Sequence, residues 1–159
     1  MIGQSKFWGK VLWLDDVLTV AEKDEFIYHE MIVHLPMFVH PNPKRVLIIG
    51  GGDGAAAREV LKHPDLEKCV MVDIDEVVIN MCKKHMPFLS DGAFENPNLD
   101  LVIGDAMDYV TNSPDNSFDV IIVDSTDPLT DSPGEILYTE EFYSHVERIL
   151  APNGVISTM

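Results

Sequence analysis

Basic residues are scarce in this 159-residue chain: 11 Lys and Arg against 27 Asp and Glu give a formal net charge of −16. A field of that sign repels duplex nucleic acid and anionic membrane and attracts cations. Cysteine is scarcer still. Cys69 and Cys82 stand 13 residues apart in segments that read as regular structure, with neither a CxxC pair nor a disulfide framework, a usage that fits a reducing compartment. No apolar run approaches the roughly 20 residues of a bilayer span. The opening MIGQSKFWGKVLWLDD has no charged-then-apolar signal pattern, which predicts a cytoplasmic protein. Internal repeats and low-complexity stretches are absent, and so is the G-x-x-x-x-G-K-[ST] phosphate loop.

What is present is a core. Apolar residues make up 46% and charged residues 24%, the balance of a globular domain. KVLWLDDVLTVAEK (10–23) predicts a hairpin around Asp15-Asp16. DEFIYHEMIVHLPMF (24–38) predicts a helix N-capped by Asp24, with Phe26, Ile27, Glu30, Met31 and His34 on one stripe, ended by the prolines of HPNPK (40–44). An alternation follows: strands at 45–50, 68–75, 99–105, 118–125 and 154–158, and helices at 55–63, 76–85, 106–110 and 140–150. Strands that are apolar throughout and separated by helices predict a doubly wound, mostly parallel α/β sheet buried on both faces. The chain stops at the fifth strand, where such a sheet ordinarily continues, so truncation there is expected.

GGGDG (50–54) puts four glycines into five positions, with Asp53 among them. Gly52 to Ala57 satisfies G-x-G-x-x-A between a strand and a helix. Asp73 and Asp75 end the next strand, about 20 residues on, where a ribose is usually held. That context predicts a nucleoside ligand, although a tight turn without one has the same glycines. A pyrophosphate would meet Asp53 as a like charge. An adenosyl sulfonium with a cationic tail fits better. Asp105 and Ala106 follow the third strand, placed for an adenine edge, and Asp105 equally suits the N-cap of the helix it opens. DSTDP (124–128) ends the fourth strand with two acids. A carboxylate there can anchor an alkylammonium and take its proton, and an Asx turn or helix cap uses the same residues.

Together, DEFIYHEMIVHLP, VLIIGGGDGAAAREVLKH, MVDIDEVVI, GDAMDYV and DSTDP resemble the spermidine synthase (aminopropyltransferase) family, in order, from about residue 10 to the C-terminus. The resemblance implies a methyltransferase-like Rossmann domain (24–159) preceded by a remnant of a small N-terminal β domain (1–23). It implies transfer of the aminopropyl group of decarboxylated S-adenosylmethionine to a diamine, putrescine, giving spermidine and methylthioadenosine. By position, Asp124 would be the general base, Tyr28 would orient the attacking amine, and Asp127 would help hold the diamine. His29, Gly50, Gly51, Gly52, Gly54 and Ile74 would line the cofactor pocket, with Asp53 on the aminopropyl ammonium. Asp73, where the family usually has Glu, would hold the ribose, and Asp105 with Ala106 the adenine. LTDSPGEILY (129–138) corresponds to a closing loop, with Thr130 in place of a glycine. Thr19 stands where the family has a cofactor-binding glutamine. A homo-oligomer, dimer or tetramer, is expected, with no metal, nucleic-acid or membrane partner. HEMIVH (29–34) resembles the zinc motif HExxH but is one residue longer, which puts its two histidines on different helix faces. Two other functions stay open on the residues alone: methyl transfer from intact S-adenosylmethionine to a small amine, and a non-catalytic nucleoside-binding domain.

Overall fold

A computed structural model describes residues 1–126 and 133–159. The chain opens with three antiparallel strands, β1 (Ile2–Ser5), β2 (Gly9–Leu14) and β3 (Val17–Ala21), in the order β1-β2-β3. The expected hairpin is β2 and β3. Its turn residues Asp15 and Asp16 sit at φ of 47° and 64°, the left-handed pair that a two-residue hairpin requires. β1 is an addition that its short, polar sequence did not signal.

Helix α1 (Glu25–Val39) leads into the main sheet. Its start is as expected, but the Asp24 side chain makes no capping bond. The stripe that turns inward is also different. His29, Ile32, Val33, Pro36 and Met37 are buried, whereas Phe26, Ile27, Glu30 and Met31 face outward. This helix is apolar on most of its circumference, so spacing alone does not select the buried face.

The main sheet then alternates: β4 (Arg45–Gly50), α2 (Ala55–Val60), β5 (Lys68–Asp73), α3 (Glu76–His85), α4 (Pro87–Ser90), β6 (Leu99–Ile103), α5 (Ala106–Asn112), β7 (Phe118–Asp124), α6 (Glu140–Ile149) and β8 (Leu150–Thr158). Short 3₁₀ turns cover Ala93–Glu95 and Pro133–Tyr138. All strand pairs are parallel, in the order β6-β5-β4-β7-β8. One core, with Ile48, Met71 and Ile122, packs α1 and α2 against one face; another, with Leu47, Ile49, Ile121, Phe142 and Val146, packs α5 and α6 against the other. Each fully buried Leu, Ile or Phe contributes roughly 1.5–3 kcal/mol.

The strand order reverses between β4 and β7. In open parallel sheets the crevice beyond the strand ends at that reversal is where ligands bind. Gly50 and Asp124 are the last paired residues of the two strands, so the ladder itself brings the glycine turn beside Asp124.

Candidate active site

The glycine turn is shaped by close approach. Gly50 has φ +83°, and a Cβ there would lie 2.2 Å from the carbonyl oxygen of Asp124. Gly51 N–H donates to that same oxygen at 2.9 Å. A Cβ on Gly52 would lie 2.7 Å from Oδ2 of Asp73, so the missing side chain lets the Asp73 carboxylate close over the turn. Asp53 is buried, and its Oδ1 accepts from Ala55 N–H at 2.7 Å.

The carboxylates at the strand ends divide their work. Asp73 ends β5, and its Oδ1 accepts from Asp75 N–H at 2.8 Å; burial pushes its carboxyl above the usual range. Asp75 caps α3, accepting from Val77 and Val78 N–H. The sequence pairs these two acids; the structure gives one to the site and the other to a helix. Ile74 between them is exposed. Asp105 caps α5 through Oδ1, accepting from Met107 and Asp108 N–H, with Ala106 as the first helical residue.

Asp124 differs from the rest. Its Oδ1 accepts from the Tyr28 hydroxyl at 2.7 Å. Its Oδ2 is buried and has no hydrogen-bond partner among the described residues. A buried, unpartnered carboxylate oxygen costs free energy and marks a place for a donor. Burial, and after it the Asp53 charge, pushes Asp124 up to about 6 against the pull of His29 and the Tyr28 bond. Burial and the adjacent Asp124 push the Tyr28 phenol far above its ordinary value.

His29 lies between two acids. Nδ1 is 2.8 Å from Glu25 Oε2, and Nε2 is 3.6 Å from Asp53 Oδ2. Burial disfavours the charged ring, but Asp53 and Glu25 outweigh it and hold the imidazolium up to about 10. Glu25 is itself gripped by Arg58 of α2, both guanidinium terminal nitrogens at 3.0 Å from its two oxygens. The Arg58 Nε donates to buried Glu59 at 2.7 Å, and Glu59 meets His34 at 3.0 Å. His29 and His34 thus sit at opposite ends of one network, with Glu25, Arg58 and Glu59 between them.

The structure therefore gathers Tyr28, His29, Gly50 to Gly54, Asp53, Asp73 and Asp124 around one crevice. Asp105 and Ala106 stand at the end of the neighbouring strand. Asp127 lies outside the described residues. Sequence reasoning missed Glu25 and Arg58, which sit inside the DEF and REV segments as one acid and one base with nothing local to pair them. A cavity of about 740 Å³ between β3, α1 and the end of β8 reaches the crevice at Tyr28 and His29, with Thr19 and Ser157 on its walls. Tyr138 returns to the β7 end, its hydroxyl donating to Thr126 O at 3.2 Å.

A glycine turn at the switch point of a parallel sheet, ringed by acids rather than bases, places the domain among the methyltransferase-like Rossmann proteins. The chain belongs to the spermine/spermidine synthase family, whose domain description matches residues 25–159. It is 52% identical over 149 residues to the polyamine aminopropyltransferase of Thermoanaerobacter sp. (strain X514), covering 94% of this chain and 52% of that protein. It is 50% identical over 150 residues to polyamine aminopropyltransferase 1 of Pseudomonas aeruginosa, covering 94% of this chain and 51% of that protein. A spermidine synthase solved in complex with the transition-state analogue AdoDATO superposes with a TM-score of 0.94 at 48% identity, over 99% of this chain and 53% of the other. The Thermotoga maritima spermidine synthase gives 0.90 at 46%, over 99% and 52%. The chain spans about half the length of the curated relatives it matches. No helix among the described residues is long and apolar enough to cross a membrane.

Proposed function

We propose that this site transfers the aminopropyl group of decarboxylated S-adenosylmethionine to putrescine, giving spermidine and methylthioadenosine. The observation that carries the reading is the buried Oδ2 of Asp124, without a partner among the described residues and facing the glycine turn, 3.1 Å from where a Gly51 Cβ would stand. A diamine nitrogen is the donor that such an oxygen lacks. The family membership supports the same assignment, as does the AdoDATO complex of a structural relative.

In this reading the adenosyl unit lies across the glycine turn, its ribose on Asp73 and its adenine near Ile74, Asp105 and Ala106. The aminopropyl ammonium meets Asp53 beside His29. The diamine enters along the cavity past Tyr28, and Asp127 holds its far end. An alkylamine is protonated at pH 7, with a pKa near 10. Asp124 takes its proton, and the nitrogen lone pair attacks the carbon next to sulfur. The carbon–sulfur bond breaks, and both its electrons return to sulfur, which leaves as a neutral thioether. Tyr28 fixes the base by occupying Oδ1, which leaves Oδ2 for the amine.

The test is methylthioadenosine release from decarboxylated S-adenosylmethionine against a panel of diamines. It is run on this chain and on this chain joined to the second half of a relative. Turnover with putrescine supports the reading. Methyl transfer from intact S-adenosylmethionine in the same assay, or nucleoside binding without turnover in either chain, rejects it.

A further inference from the structure

His29 is only 2% exposed, and its two ring nitrogens have unlike surroundings. Nδ1 is 2.8 Å from the Glu25 carbonyl oxygen and 2.8 Å from Glu25 Oε2. Both are acceptors, so Nδ1 carries a hydrogen whether the ring is charged or neutral. The second hydrogen of the imidazolium is on Nε2, and Nε2 faces Asp53 at 3.6 Å, beyond ordinary hydrogen-bond reach. The ring therefore has one proton fixed between two Glu25 acceptors and one without a hydrogen bond of ordinary length, and the second points at the acid that the ammonium would use.

Charge balance leads to the same place. The groups facing His29 are Glu25 and Tyr28 from α1, Asp53 from the glycine turn and Asp124 from β7. Arg58 of α2 already neutralises Glu25. Glu25 pairs with Arg58 and Asp53 with the imidazolium, and Asp124 is a further carboxylate facing the ring. A further cation at Asp53 would stand beside the imidazolium in a poorly screened space, where like charges are costly.

We propose that a ligand ammonium and the Nε2 proton of His29 exchange at Asp53. The ammonium pairs with the Asp53 carboxylate, the Nε2 proton leaves to solvent, and the neutral ring accepts an N–H of the ammonium through the freed Nε2 lone pair. His29 is then a cation in the free protein and a hydrogen-bond acceptor in the complex. Its tautomer is set by Glu25, and Glu25 is set by Arg58. The exchange rests on the aminopropyltransferase reading, which supplies the ammonium. Since the ligand lowers the pKa of the ring, affinity for an ammonium-bearing nucleoside rises with pH from neutrality until the free ring itself deprotonates.

Two neutral thioethers separate the exchange from nucleoside binding as such: methylthioadenosine, without an amine, and decarboxylated S-adenosylhomocysteine, with the aminopropyl ammonium. Calorimetry at pH 8.5 in buffers of different ionisation enthalpy counts the protons. The expected result is release approaching one proton with the aminopropyl ligand and none with methylthioadenosine. His29→Asn should abolish the release, and nitrogen-15 spectra of the unaltered protein should show Nε2 of His29 moving from protonated to bare on ligand addition. Binding of both ligands without a proton difference overturns the exchange alone. Release that persists in His29→Asn, or an Nε2 signal that stays protonated, does the same. Failure of both nucleosides to bind overturns the functional reading and the exchange with it.

Discussion

The Tyr28 hydroxyl donates to Oδ1 of Asp124 at 2.7 Å across 96 residues of sequence, joining the helix before the sheet to the end of its fourth strand. The bond commits one carboxylate oxygen and leaves the other, Oδ2, buried and without a hydrogen-bond partner among the described residues. Asp124 is therefore costly to the fold and valuable to a site.

That cost is measurable. The folded state holds the Asp124 proton more tightly than the unfolded chain, since burial lifts the group from 3.8 to about 6. The contribution of this group to stability should fall as pH rises from about 4 to about 6 and then level off, a loss on the order of 2–3 kcal/mol, read as the difference from Asp124→Asn. Asp124→Asn keeps the Tyr28 bond and removes the charge. We expect it to unfold in urea at a higher midpoint than the unaltered protein at pH 8, with no advantage at pH 4. An unchanged or lower midpoint at pH 8 would contradict the burial argument. In an active chain the same substitution should lower kcat by roughly 10²–10⁴-fold, the usual weight of a general base.

Arg58→Met should destabilise the fold by about 1–3 kcal/mol, because it removes the guanidinium shared by Glu25 and Glu59 and leaves Glu25 to His29 and Glu59 to Lys62 and His34. Arg58→Lys should recover only part of that. A lysine is a single point of charge and cannot fork onto Glu25 while reaching Glu59. Denaturant midpoints of the two variants measure the difference, and equal midpoints would refute the role of the fork.

Two glycines with nearly equal backbone angles should respond differently. Gly50 (φ +83°) has a backbone oxygen 2.2 Å from its hypothetical Cβ, whereas Gly92 (φ +82°) has nothing within 4 Å. Gly92→Ala should cost about 1 kcal/mol, the penalty of the left-handed conformation alone. Gly50→Ala should cost several times that, or prevent folding, because the β4 and β7 ends must part. Thermal melts of the pair check this.

Asp53→Ala should weaken decarboxylated S-adenosylhomocysteine about tenfold more than methylthioadenosine, since only the first carries an ammonium. The gap corresponds to about 1.4 kcal/mol. Direct titration of both ligands gives the ratio, and equal weakening would remove Asp53 from the ammonium site.

The outward side of α1 shows Ile27, Met31, Leu35, Phe38 and Val39, each more than half exposed. A contiguous apolar face of that kind favours association. At tens of micromolar the chain should sediment as more than a monomer, and Phe38→Glu should shift it toward one. A monomer throughout that range would refute the expectation.

Much of this arrangement was legible in the sequence for a physical reason. The central strands β4, β5 and β7 are apolar on both faces, and Gly50 to Gly54 and Asp124 fall where such strands end. Asp105 read either as a helix cap or as an adenine ligand, and the structure displays the cap. The inward face of α1 was not legible, because apolar residues ring the helix and only packing on α2 and the sheet decides among them. Glu25 and Arg58 were not legible either, since their partnership is across helices 33 residues apart and has no period. Asp73 and Asp75 read alike by spacing, the family resemblance singled out Asp73, and backbone geometry gives Asp75 to α3.

The pairing of Gly50 with Asp124 has one more consequence. It is a rung of the sheet, so the proposed base is positioned by backbone hydrogen bonds between two central strands rather than by any loop. In the proposed function the diamine is met by other residues, Tyr28 of α1 and Asp127 among them. Substitutions at such positions can accumulate without displacing Asp124 from the turn beside it. Substrate preference can therefore drift in this scaffold while the proton acceptor stays fixed.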